Sequence, residues 1–154
     1  MAKASKKLTH LDEKGNAKMV DVGQKPDDRR MAIAGGKIWL KRKTVELIKN
    51  NQMEKGNVLA VAKIAGIQAA KKTSEIIPLC HPLLLTNIEL LFDIKENRIE
   101  IESKVECVGK TGVEMEALIA VSVAALTIYD MCKAVDKKIK IGEIYLWQKL
   151  KQPV

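Results

Sequence analysis

Asp130 and Lys133 stand three residues apart, so on a helix they share one face. A carboxylate beside an ammonium has two fates. In water the pair is a surface ion pair that contributes little. Away from water, burial lowers the lysine pKa while the carboxylate opposes that shift, and the amine can act as general acid or base. Composition alone favours the ion pair. Against it, the stretch 117–129 before Asp130 carries no charge, which predicts that the helix is still buried there. Glu114 and Glu116 stand at the other end of the same stretch. Thr111 and Glu114 have the spacing of a capping box, with Thr111 as N-cap, so Glu114 is either a cap or a ligand. Glu116 has no capping role, and the ordinary place of such a carboxylate is the surface. Gly109-Lys110-Thr111 ends like a phosphate-binding loop, but that loop needs a glycine five residues earlier, where the chain has Lys104.

Fourteen residues separate Glu116 from Asp130, about 21 Å of helix. One small ligand does not touch both tips of such a rod. If both tips are functional, a second subunit must bring its opposite tip to the site, and an uncharged rod packed across a symmetry axis would do so.

Other candidates are scattered. Lys55 lies two residues before Asn57, a good helix N-cap. A helix N-terminus favours anions and discourages an added positive charge, so Lys55 is either a reactive amine or a plain loop lysine. His81 sits between Cys80 and Pro82 in a stiff loop and could contact a ligand. A metal role is not expected, because no further ligands cluster there. Arg29 and Arg30 could hold phosphate. Cys80, Cys107 and Cys132 form no CxxC pair and are read as reduced thiols of a cytoplasmic protein.

The elements that must position these residues are legible in outline. Residues 1–30 are polar and aperiodic and read as a loose arm on a single domain of 154 residues. Residues 31–40 suit a strand with a turn or bulge at Gly35-Gly36. Residues 41–53 read as a short helix with Val45, Leu47 and Ile48 inside. A second helix runs from Asn57 to about Lys72, with Ala62, Ala65, Gly66 and Ala69 spaced for close packing. The two prolines of IPLCHPL at 77–83 impose an extended or turned segment. Residues 88–94 and 99–108 alternate as strands joined at Glu96-Asn97, with Ile99, Ile101, Ser103, Val105 and Cys107 on one face. A long helix over 113–135 and a strand over 140–150 complete the chain. Merging the first two helices into one crossover gives βαββαβ, an α+β ferredoxin-like fold whose antiparallel sheet carries its helices on one face.

Apolar residues make up 47% and aromatics 3%, so the core must be aliphatic and rich in alanine. No apolar run approaches the ~18 residues of a membrane span. The basic start, MAKASKKLTH, lacks the apolar region of a secretory signal. The net charge of +8 suits a nucleic-acid surface or a pocket for an anionic small molecule. Its spread along the chain argues against a nucleic-acid tail, and no strand carries the aromatic pattern of an RNA-binding sheet. A small-ligand regulatory domain without turnover also fits a ferredoxin-like fold.

Longer motifs narrow this. Lys55-Gly56-Asn57, AGIQAAKKT at 65–73, IPLCHPL, GKTGVEMEAL at 109–118 and LTIYDMCKAV at 126–135 together resemble the MoaC family, the cyclic pyranopterin monophosphate synthases. Met19-Val20-Asp21-Val22 fits as well, and the resemblance spans about residues 8–150. It implies a lyase of molybdenum cofactor (molybdopterin) biosynthesis. The reaction converts 3',8-cyclo-7,8-dihydro-GTP, supplied by a radical SAM enzyme, into cyclic pyranopterin monophosphate and pyrophosphate. It also implies a homohexamer, a trimer of dimers with active sites at the dimer interfaces. The resemblance assigns catalysis to Asp130, Lys133 and Lys55. It assigns substrate contacts to Leu79, Cys80, His81, Glu114, Met115, Glu116, Arg30 (rather than Arg29), Asp21 and Lys149. No cofactor is implied, beyond Mg2+ accompanying the triphosphate, and neither nucleic acid nor membrane is an expected partner. Many members continue after the late lysine with Ser-Gly-Gly-Lys-Ser-Gly, where this chain reads Lys149-Leu150-Lys151-Gln152-Pro153-Val154. Lys151 is therefore an alternative to Lys149.

Overall fold

The computed structural model describes residues 10–154. The elements are β1 (Asp28–Trp39), α1 (Arg42–Lys49), α2 (Val58–Lys71), α3 (Thr73–Ile76), β2 (Leu85–Ile94), β3 (Arg98–Gly109), α4 (Glu114–Cys132) and β4 (Lys140–Pro153). The four strands form one antiparallel sheet in the order β2-β3-β1-β4. With helical crossovers after β1 and β3, this is the expected ferredoxin-like arrangement.

The alternation of β3 decides which face is covered. Ile99, Ile101, Ser103, Val105 and Cys107 are all buried, beneath α4, while α2 packs beside α4 over β2. Ala117, Ala120, Ala124 and Ala125 are fully buried along α4, so the helix rides close to the sheet. Gly66 does the same for α2: a Cβ there would lie 2.8 Å from the carbonyl oxygen of Ala120 and 2.9 Å from a methyl of Leu90. The Asn57 side chain accepts the N–H of Ala60 at 3.0 Å and caps α2 as the sequence predicts.

Some boundaries differ from expectation. β1 starts at Asp28, because Asp28 and Arg30 pair with Gly109 and Cys107 of β3 despite their charge. The irregularity expected at Gly35-Gly36 is found there, since the register with β4 shifts between Gly35 and Lys37, although the extra residue is on β4; a second shift lies between Ile33 and Ala34. Ile33 pairs with Gln148 and Ala34 with Leu146, which leaves Trp147 over. Gly35 and Gly36 serve close approach: a side chain on Gly35 would strike the Trp147 ring, and one on Gly36 would strike Val121. α4 has no capping box. Its N-cap is Val113, held by burial at 1% exposure, without a side-chain cap bond. The Glu114 carboxylate instead folds back over Gly112 toward Lys149. α4 also stops at Cys132, three residues early. It is long and apolar enough by composition to cross a membrane, contrary to the count of apolar runs, but half of that stretch is buried against the fold.

Candidate active site

α4 carries a cluster of candidate residues at each end. At its C-terminus Asp130 is held by two lysines. The Lys133 ammonium is 2.7 Å from one carboxylate oxygen. Lys55, 75 residues earlier in the chain, donates to the Asp130 backbone carbonyl at 3.2 Å and lies 3.5 Å from the other carboxylate oxygen. The loop between α1 and α2 delivers Lys55. Asp136 anchors the turn after Lys133: its buried carboxylate accepts the Lys41 and Lys138 N–H groups at 2.7 and 3.0 Å and the Thr44 hydroxyl at 3.1 Å. The same carboxylate thus ties the end of α4 to the start of α1.

The expected burial of Asp130 is not found. Its side chain is 59% exposed, that of Lys133 56% and that of Lys55 48%. The helix turns Ile128, Met131 and Cys132 inward, which sends Asp130 and Lys133 outward. Electrostatics follow from that exposure. The hydrogen bond from Lys133, its charge and the charge of Lys55 hold Asp130 below the usual carboxylate range. The bond to Asp130 and its charge raise Lys133 above the ordinary lysine value. On the single chain Lys133 is therefore a protonated acid, and something must cover the cluster before it can act as a base.

The second cluster gathers around the N-terminus of α4. Strand register builds it. Arg30 lies between Cys107 of β3 and Lys151 of β4, and Ala32 lies between Val105 and Lys149. Arg30 is half-buried on the helix-covered face, while Arg29 points out to solvent. Lys149 lies 3.3 Å from Glu114. Glu116 is 4% exposed, not on the surface. Burial raises its pKa, against a backbone hydrogen bond that lowers it, and Glu114 adds a further upward push. Burial likewise lifts the Cys80 and Cys107 thiols, and Glu116 adds to both shifts, which makes them poor nucleophiles. His81 hydrogen-bonds through Nε2 to the Val20 carbonyl at 2.7 Å, and Lys110 donates to the Gly23 carbonyl at 2.6 Å. These bonds lay residues 20–23 of the arm beside the cluster. Asp21 itself accepts the Gly23 N–H at 2.8 Å. Leu79 and Met115 are partly exposed at 37% and 36%.

The structure thus brings Lys55, Asp130 and Lys133 together. It brings Cys80, Arg30, Glu114, Glu116 and Lys149 together separately, with His81 tied to the arm, and the rod keeps the two groups apart. Sequence patterns supply the parts, and the comparison with known proteins supplies the kin. The MoaC family model matches residues 19–151. The chain belongs to the MoaC family. It is 58% identical over 144 residues to the cyclic pyranopterin monophosphate synthase of Heliobacterium modesticaldum, covering 92% of this chain and 91% of that protein. The protein of that name from Desulfitobacterium hafniense is 57% identical over 143 residues, 92% of this chain and 88% of the relative. The one from Clostridium perfringens is 56% identical over 146 residues, 94% and 92%. One residue of the second cluster was missed by the sequence reading. Asp28, buried at 4% exposure between Arg30 and Lys151, was passed over as part of the arm. Its position two residues before Arg30, on the same strand face, was the available signal. No group of three or more potential metal ligands exists among the described residues.

Proposed function

We propose that this chain converts 3',8-cyclo-7,8-dihydro-GTP to cyclic pyranopterin monophosphate with release of pyrophosphate; its relatives in the MoaC family are named cyclic pyranopterin monophosphate synthases. The observation that supports it most is the convergence of Lys55 and Lys133 on Asp130 from separate elements. Opening the purine-derived ring, rebuilding a pterin and closing a cyclic phosphate each move protons, so two amines on one carboxylate meet the demand. Asp130 orients Lys133 and holds it protonated. Lys55 is the second proton carrier. The opposite cluster takes the rest of the substrate: Arg30 and Lys149 the phosphates, Glu114 or Glu116 the guanidine-like edge of the base, with Leu79, Cys80, His81, Met115 and Asp21 lining the approach. Magnesium would arrive on the triphosphate. A radical SAM enzyme would supply the cyclised nucleotide.

The two clusters meet in a dimer. Met115, Ile119, Ser122, Leu126, Tyr129 and Lys133 recur every three or four residues and form one outward stripe of α4. Leu126 is 58% exposed, and on neighbouring α2 Val61 and Ile64 are 45% and 59% exposed. A two-fold axis crossing α4 near Val123 would pair these stripes antiparallel. It would place Asp130 of one subunit opposite Glu116 of the other, and would cover the exposed lysines. Three such dimers would make the hexamer.

The test is steady-state turnover and substrate binding by Lys55→Ala and Lys133→Ala. Turnover should fall by a factor of about 100 or more, the usual contribution of a general acid or base, while binding persists. Undiminished turnover in both variants would remove these roles.

A further inference from the structure

Asp28 has no part in the roles given above and Lys151 enters only as an alternative to Lys149, yet the two meet at the proposed phosphate end of the site. A single oxygen of Asp28 lies 3.1 Å from Arg30 Nη2 and 3.3 Å from Lys151 Nζ. Register makes this meeting possible, because Arg30 and Lys151 are direct partners on neighbouring strands and Asp28 is one pleat away. Asp28 is 4% exposed, the Arg30 side chain 14% and that of Lys151 61%. One carboxylate therefore offsets two cations. The next cation along β4, Lys149, is already opposed by Glu114 at 3.3 Å.

Arg30 also has unused hydrogen-bonding capacity. Its Nη2 serves Asp28 and, at 3.4 Å, the Lys110 carbonyl. Its Nε is buried and has no partner among the described residues. A buried donor without an acceptor carries its full desolvation cost, so the arrangement is complete only when an acceptor arrives. A surplus positive charge beside an unpaired guanidinium donor and an exposed ammonium calls for an anion with several oxygens.

We propose that Lys151 contacts phosphate and that Asp28 is a positioning residue, holding Arg30 and Lys151 side by side as a seat for the pyrophosphate portion of the substrate. The identity of the anion rests on the function proposed above; the two-cation seat rests on the geometry alone. Lys151 reaches solvent and delivers the leaving group outward, while Arg30 is held at the inner end.

The experiment is calorimetric titration of inorganic pyrophosphate into the full chain, wild type and variants, beside steady-state kinetics. Lys151→Ala should weaken pyrophosphate about tenfold and raise KM more than it lowers kcat, and Lys151→Arg should restore most of both, as expected for a charge-assisted contact. Asp28→Asn should also weaken pyrophosphate, and in that background Lys151→Ala should have little further effect. Unchanged pyrophosphate affinity in Lys151→Ala would overturn the seat, and tighter binding by Asp28→Asn would show a carboxylate that competes with the anion instead of positioning its partners. If wild type turns over the cyclised nucleotide and Lys151→Ala binds pyrophosphate normally, the seat fails and the enzyme assignment stands. If pyrophosphate binding depends on Lys151 but no turnover occurs, the enzyme assignment fails and the seat stands.

Discussion

Co-expression of a Glu116→Ala chain with a Lys133→Ala chain tests whether a site spans two subunits. The rod sets the terms: fourteen residues from Glu116 to Asp130 span about 21 Å, and α4 is one unbroken helix over that stretch. If each chain supplies one tip to each of two sites, either variant alone is inactive at both sites. A mixed dimer then has one site with both lesions and one with none. Random pairing of equal amounts makes about half of the dimers mixed, so about a quarter of wild-type activity should return. The assay is pyrophosphate release by chains carrying different tags, with mixed assembly verified by pulling on one tag and detecting the other. If mixed assemblies form and activity stays at the level of the separate variants, each site lies within one chain and the reasoning from helix length is wrong.

Other outcomes follow from the same geometry. Asp130→Asn removes the partner that raises Lys133, so the high-pH limb of the kcat profile should move to lower pH; an unmoved limb would mean that Asp130 does not set the lysine's proton. Asp136→Asn breaks a buried acceptor site and should cost about 2–3 kcal/mol, read as a fall in melting temperature of roughly 5–10 °C. Burial raises the Asp136 pKa, but the bonds from Lys41, Lys138 and Thr44 outweigh it and leave it below its ordinary value. The wild-type advantage is therefore complete above the unfolded value of about 3.9 and fades as pH falls below it; an advantage that persisted in acid would contradict this. Gly66→Ala gains up to about 1 kcal/mol of helix propensity but crowds the Ala120 carbonyl and Leu90. Overpacking of about 1–3 kcal/mol should win, lowering the melting temperature by a few degrees; a rise would show that α2 can move away from α4.

The fold was legible where burial alone sets the pattern. β3 alternates because one face is covered, and Asn57 caps because its side chain needs only its own helix. Features that depend on distant partners were not legible. Thr111 and Glu114 have capping-box spacing, yet Val113 is drawn into the core and Glu114 turns to Lys149, a strand away. Gly35 and Gly36 announced the irregularity that is found there, but only the strand pairing shows that its extra residue belongs to β4, and that a second one follows at Trp147. Asp28 looked like an arm residue because its cations come from Arg30 and Lys151, and the Lys151 pairing exists only through register. The uncharged run before Asp130 predicted burial of that carboxylate, whereas helix phase turns it outward. Met115 and Leu126, on the outward side of the same helix, are exposed too, which suits the dimer contact proposed above.

The most direct measurement is incubation of the purified protein with 3',8-cyclo-7,8-dihydro-GTP, with mass-spectrometric detection of the pterin and parallel assay of pyrophosphate. The account predicts cyclic pyranopterin monophosphate and pyrophosphate in equal amounts, both abolished by Lys133→Ala. Substrate bound but unchanged, or pyrophosphate released without the cyclic phosphate, would contradict it.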